Sequence, residues 1–146
     1  MEPVVEVLGA YRVEADIDRA FEIKYGDRGL QGEELRACRA EIEDELSRLV
    51  LIELLVRHRD QRFDLGDFHQ PGSEQAPYDE AYLSPDGTEV LSRSQPPDSE
   101  PLRVVFFLHF FEPATPLETS YGRVSVPQPT SVPNRLQDLI PYEPAD

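Results

Sequence analysis

Along residues 4–13, VVEVLGAYRV, β-branched and apolar residues roughly alternate with polar ones. Val5, Val7, Tyr11 and Val13 fall on one face, with Glu6 and Arg12 on the other, the pattern of a half-buried strand. The period then lengthens. Asp16 is placed to cap a short helix through Tyr25, with Ile17, Ala20 and Phe21 along one side and Gly26 as its stop. From Glu33 the helical signal is strongest. Glu33 and Glu34 stand in the first turn, favourable to the macrodipole, and Leu35, Cys38, Ile42, Leu46 and Leu49 recur at spacings of three and four. The outer face carries Arg36, Arg39, Glu41, Glu43, Asp44 and Glu45, an ordinary solvated surface. VLIELLVRH then loses the helical period and is almost continuously apolar, which predicts a buried strand over about 50–58 rather than a longer helix.

The rear half is written differently: thirteen of the fourteen prolines lie at or after Pro71. A polar, turn-rich stretch at 59–77 offers Phe63, Leu65 and Phe68 as anchors to the core. YDEAYL at 78–83 then faces TEVLSR at 88–93 across Ser84-Pro85-Asp86-Gly87, a hairpin in which proline presets one dihedral and glycine accepts a positive φ. After the connector at 94–101 comes LRVVFFLHFF, and a strand is expected at 121–126. The tail PQPTSVPNRLQDLIPYEPAD has room for one helical turn around 134–139. The order β-α-α-β followed by a β-meander and a proline-rich tail predicts an α+β fold: an antiparallel sheet of four to six strands with two helices packed on one face. At 146 residues the chain is read as one domain, 1–146, with an element-rich front (1–70) and a loop-punctuated rear (71–146).

LRVVFFLHFF does not alternate, because both of its faces are greasy. Leu102, Val104, Phe106, Leu108 and Phe110 form a wholly apolar even face, expected to meet the helices. The odd face holds Arg103, Val105, Phe107, His109 and Phe111. Three covers are weighed for it. The favoured one is the tail, through Val132, Leu136, Leu139, Ile140 and Tyr142; next come a second copy of this chain, and a small-molecule pocket with His109 and Arg103 as polar handles.

Charge narrows the partners. Twenty-nine acidic residues against fourteen basic ones leave a net charge of −15, the wrong sign for nucleic acid or an anionic membrane surface. The same field attracts a basic protein. The single cysteine, Cys38, permits no internal disulfide and fits a reducing compartment. No apolar run reaches the ~20 residues that span a bilayer, and MEPVVEV shows no basic n-region or long apolar h-region. A cytoplasmic protein is expected.

Catalytic signatures are lacking. His58, His69 and His109 have no metal-ligand spacing, and there is no CxxC pair, G-x-S-x-G elbow or phosphate-binding glycine loop. The loop acids Asp64 and Asp67, with His69, do not follow the calcium-loop pattern and are read as solvated. No metal or cofactor is expected. Tyr78, Glu80 and Tyr82 share a face of the predicted hairpin strand, and an open face of this kind would suit a cation or an arginine-rich peptide; tyrosines packed half-buried are the plainer expectation. The function expected is therefore a non-catalytic, acidic protein-interaction module. Its partner surface would involve Tyr78, Glu80, Tyr82, Asp64 and Asp67. Bacterial immunity and inhibitor proteins or adaptors are analogous in composition and fold class only. The alternative is a small enzyme or ligand-binding domain around His109 and Arg103, and a homodimer through Phe107, His109 and Phe111 is a third.

Overall fold

The architecture was taken from a computed structural model, which describes residues 3–13, 16–59, 63–71, 76–93, 95–98, 100–109 and 116–140. Phe110, Phe111 and Tyr142 lie outside them. The chain is α+β. Strand β1 (Val5–Arg12) leads into helices α1 (Ile17–Tyr25) and α2 (Gly32–Ser47), and β2 (Leu49–Val56) follows α2 almost directly. The later strands are β3 (Tyr78–Leu83), β4 (Val90–Arg93), β5 (Leu102–His109), β6 (Leu117–Thr119), β7 (Gly122–Val124) and the short β8 (Thr130–Ser131). Six strands make one sheet in the order β4-β3-β5-β2-β1-β8, and β6 and β7 form a separate ribbon. All pairings are antiparallel except β1 with β8, which is parallel. The apolar run at 49–56 thus lies at the centre of the sheet, where both faces are covered and alternation is not required.

Each face of the sheet has its own cover. Val104, Phe106 and Leu108 of β5 and Val50, Ile52 and Leu54 of β2 pack beneath Leu65, Phe68 and Leu117, with Phe63, Tyr121 and Val124 at the margin. The even face therefore meets the 63–68 loop and the β6–β7 ribbon, where helices had been expected. Phe68 stands edge-on to Phe106 at 6.2 Å, and the loop is fixed to β6 by backbone hydrogen bonds between His69 and Glu118. On the opposite face Leu49, Leu51, Val105 and Phe107 are enclosed by Leu136, Leu139 and Ile140, with Val132 alongside. The chain's own tail, turning through a 3-10 helix at Asn134–Leu139, is what covers the odd face.

The helices reach that same face through Leu46 and otherwise cover one another, around Ala20, Tyr25 and Ile42. Asp16 caps α1 by accepting the amide hydrogen of Arg19 at 3.1 Å. Lys24 of α1 reaches Glu41 and Glu45 of α2, and Arg39 pairs with Asp18.

Three register steps interrupt strand pairing: one leaves Leu91 of β4 as an extra residue opposite the Tyr82–Leu83 step, and those in β1 and β3 redirect side chains. In β1 the pairing steps from Val7↔Leu54 to Gly9↔Glu53, so Leu8 is an extra residue. Val5 and Val7 accordingly join the even-face core, while Tyr11 and Val13 join the tail side; the four do not share a face as simple alternation had indicated. In β3, Tyr78 opposes Phe107 and Ala81 opposes Val105, one residue too many, and Asp79 takes φ 52° within the irregularity.

Candidate functional site: polar clusters on the odd face and an acidic margin

One polar residue interrupts the central strand. Glu53 is 1% exposed, and its side chain points to the tail side of the sheet. Arg103, diagonally across on β5, donates from Nε to Oε2 at 2.9 Å. Tyr11 of β1 donates its hydroxyl to Oε1 at 2.7 Å. A Cβ at position 9 would overlap the Tyr11 hydroxyl, so Gly9 provides the room for that ring. From the tail, Arg135 grips the carboxylate with both arms, Nη2 to Oε1 at 2.7 Å and Nη1 to Oε2 at 3.1 Å, the bidentate geometry a guanidinium favours. Burial pushes the Glu53 carboxyl up, but hydrogen bonds from Arg135 and Tyr11 and the charges of Arg135 and Arg103 outweigh it, leaving the group below its ordinary value. Tyr11 is raised, by burial first and by Glu53 next.

The β3–β4 turn closes this cluster. Pro85 offers its carbonyl to Arg103 at 3.2 Å, and Gly87 offers its own to Arg135 at 2.9 Å. Gly87 has φ +77°, and a Cβ there would fall 2.6 Å from Arg103 Cζ, so both the turn and the guanidinium require glycine. Asp86 shapes the turn by accepting from the hydroxyls of Ser84 (2.6 Å) and Thr88 (2.8 Å) and from the Thr88 amide, which lower its pKa to about 2. No sequence motif announces this cluster. Its one visible trace is a lone glutamate inside LVLIELLV, which strand-level reading passes over as an interruption.

Of the residues singled out from sequence, Arg103 is committed to Glu53 and Pro85. His109 lies at the other end of β5, its side chain 15% exposed, stacked on Tyr78 at 5.5 Å. Tyr78 stacks in turn on Phe107 at 5.9 Å. Glu45 stands 3.8 Å from His109 Nε2, beyond hydrogen-bond reach. Burial lowers the histidine's pKa, and Glu45 opposes that shift. Arg103, Phe107 and His109 thus share a face without converging on one cavity: Phe107 is buried under the tail side, and each flanking polar group has its own partner.

The Tyr78–Glu80–Tyr82 stripe does not form. The β3 bulge sends Tyr78 to the tail side and Tyr82 into the even-face core, 5% exposed. Burial and the nearby Glu80 charge raise the Tyr82 hydroxyl. Asp64 accepts from the Gly66 amide at 2.9 Å, capping the 3-10 turn at Leu65–Asp67, and Asp67 accepts from the Ser120 hydroxyl at 3.1 Å. Both aspartates are solvent-exposed, and no group of three metal-ligating side chains occurs among the described residues.

What remains open is the margin of the sheet. From residue 64 to residue 100 the chain carries nine acidic side chains and a single basic one, Arg93. This segment includes β4, one of the two edge strands of the sheet, on which Val90 and Leu91 are 41% and 50% exposed. Asp79, Asp86, Glu89, Asp98 and Glu100 of the same segment are exposed. A groove of about 720 Å3 runs between Val4–Leu8 and Tyr121–Pro127. No helix among the described residues is long and apolar enough to cross a membrane. No protein-family model, curated sequence or solved structure matches this chain.

Proposed function

We propose that the protein is a non-catalytic interaction module that receives a basic, extended segment of a partner protein along the acidic margin at β4. The observation that carries this reading is the coincidence of charge and edge. Nine acids to one arginine lie in the segment 64–100, which contains an edge strand that, among the described residues, has a neighbouring strand on one side only and exposes two adjacent apolar side chains. An added strand would gain main-chain hydrogen bonds from β4 and apolar contact from Val90 and Leu91, while its cations meet Glu80, Glu89 and Asp98. Asp64 and Asp67 add to the same field rather than forming a separate site. A cytoplasmic setting is part of this reading, and the single cysteine of the sequence, Cys38, which allows no internal disulfide, supports it.

The alternative centred on His109 and Arg103 has less to stand on, because Arg103 is already engaged by Glu53. A dimer through the odd face loses its motive where the tail already covers Val105 and Phe107.

Binding of a labelled peptide of about eight residues alternating lysine with valine would test the reading by fluorescence anisotropy. Affinity should fall as salt rises from about 50 to about 300 mM. It should also fall about tenfold or more in the double variant Glu80→Lys/Glu89→Lys, at a typical cost of about 1.4 kcal/mol or above. The same reversal at Glu34 on α2 should leave it unchanged. Equal binding by all three proteins would sink the assignment to β4.

A further inference from the structure

The Glu53 cluster has the parts of a receptor for an arginine side chain. A floor carboxylate, 1% exposed, presents both oxygens to the Arg135 fork. One wall is the Gly87 carbonyl, accepting from Nη1 at 2.9 Å, and the other is the Tyr11 hydroxyl, 3.5 Å from Nη2. Arg103 holds the carboxylate from the side and is itself fixed by the Pro85 carbonyl, so the floor stays oriented whichever guanidinium sits above it. All of these groups belong to the body of the sheet and its hairpin, whereas the occupant comes from the tail. Arg135, whose side chain is 29% exposed, sits on a six-residue 3-10 helix that has no side-chain N-cap. The receptor is built from the sheet and its hairpin, and its occupant comes from a separate segment of the chain.

We propose that this site recognises arginine, that Arg135 fills it in cis, and that an arginine from a basic partner can take its place. The geometry selects guanidinium over ammonium. Two parallel N–H···O bonds to one carboxylate, with a third to a carbonyl, match a planar fork and leave a point charge under-satisfied. Exchange of the occupant would also lift Leu136, Leu139 and Ile140 from the odd face, so recognition and uncovering of Val105 and Phe107 are one event. The proposal draws on the basic-partner reading above for the identity of the incoming chain; the receptor itself is independent of β4.

The full-length Arg135→Ala variant offers the direct test. Its thermal unfolding midpoint should rise saturably with methylguanidinium at concentrations below about 50 mM, as expected for a ligand that binds the folded state alone. Methylammonium should need at least tenfold more for the same rise, and Glu53→Gln/Arg135→Ala should respond to neither. Where Arg135→Ala does not fold, Arg135→Lys keeps the apolar stem and replaces it in the same titration. An equal response to both cations, or an undiminished one in the double variant, overturns the receptor. For exchange in the wild-type chain, a peptide of residues 132–139 is the probe, with its arginine-to-lysine version as control. The arginine peptide should lower hydrogen-exchange protection at Leu136–Ile140 at concentrations at least tenfold below the lysine peptide. No preference between the two overturns the exchange. The Glu80→Lys/Glu89→Lys protein should keep all of these responses, so failure at β4 and failure at Glu53 are read separately.

Discussion

Glu53 sits where a sheet normally places leucine or valine, in the central strand with backbone partners on both sides. A charge taken out of water there costs several kcal/mol, and only close, complete pairing offsets it. Arg135, Arg103 and Tyr11 supply that pairing. Glu53→Gln keeps the shape but leaves two guanidiniums facing a neutral amide, and urea unfolding should show a loss of about 3 kcal/mol. The acid limb carries a second signature. Because the folded-state pKa is depressed, the carboxylate's contribution is complete above the unfolded value of about 4.3 and is lost as pH falls through the folded value. The glutamine variant should therefore lose less stability than wild type over that window. An unchanged urea midpoint would mean that the cluster is decoration.

At the scale of elements, the helical hairpin and the sheet are stabilised separately. Among the described residues of α2 only Ile42 is buried, and the hairpin core is a small group of side chains that the two helices share. Ile42→Ala removes the centre of that group, at a typical cost of about 2–5 kcal/mol for a fully buried isoleucine. Hydrogen exchange should accelerate across residues 17–47 while β2 and β5 keep their protection, since opening free energies follow local burial. Acceleration of all three together would show one cooperative unit. These elements were legible from the sequence because each is a run with one period: the α1 cap, the 33–47 stripe, the 78–93 hairpin and the turn at 134–139 all fall within a few residues of where pattern placed them. Side-chain direction was less legible, and for a definite reason. A single inserted residue reverses inside and outside along a strand. Leu8 in β1 and the Tyr78–Ala81 step in β3 each do so, and the latter separates Tyr78 from Tyr82. The Glu53 cluster was out of reach for another reason. Its members come from positions 11, 53, 87, 103 and 135, and only the packing of five segments brings them together.

For the molecule as a whole, charge and closure are unevenly distributed. More than half of the net charge of −15 comes from residues 64–100, where acids outnumber bases nine to one, and the remaining sequence is nearer balance. Such asymmetry gives long-range attraction a direction, and under the proposed function a cationic partner would be drawn toward that segment. Closure depends on the tail. A chain ending at Pro129 lacks β8, Arg135 and the three apolar residues over Val105 and Phe107. It should bind a hydrophobic dye and self-associate in sedimentation experiments, in contrast to the full chain. A monodisperse, dye-silent product would show that the odd face has another cover.

The contact between Arg135 and Tyr11 spans 124 positions of sequence. During synthesis the strands at the centre of the sheet leave the ribosome well before the segment that will shield them. At elongation rates of about 5–20 residues per second, the interval between Val105 and Ile140 is a matter of seconds. Throughout it Leu51, Val105 and Phe107 have no lid, and Glu53 carries its charge without its principal counter-ion. The nascent chain is thus most vulnerable to misassembly after nearly all of its strands exist, and its last arginine to be made among the described residues seals both the apolar plane and the buried charge.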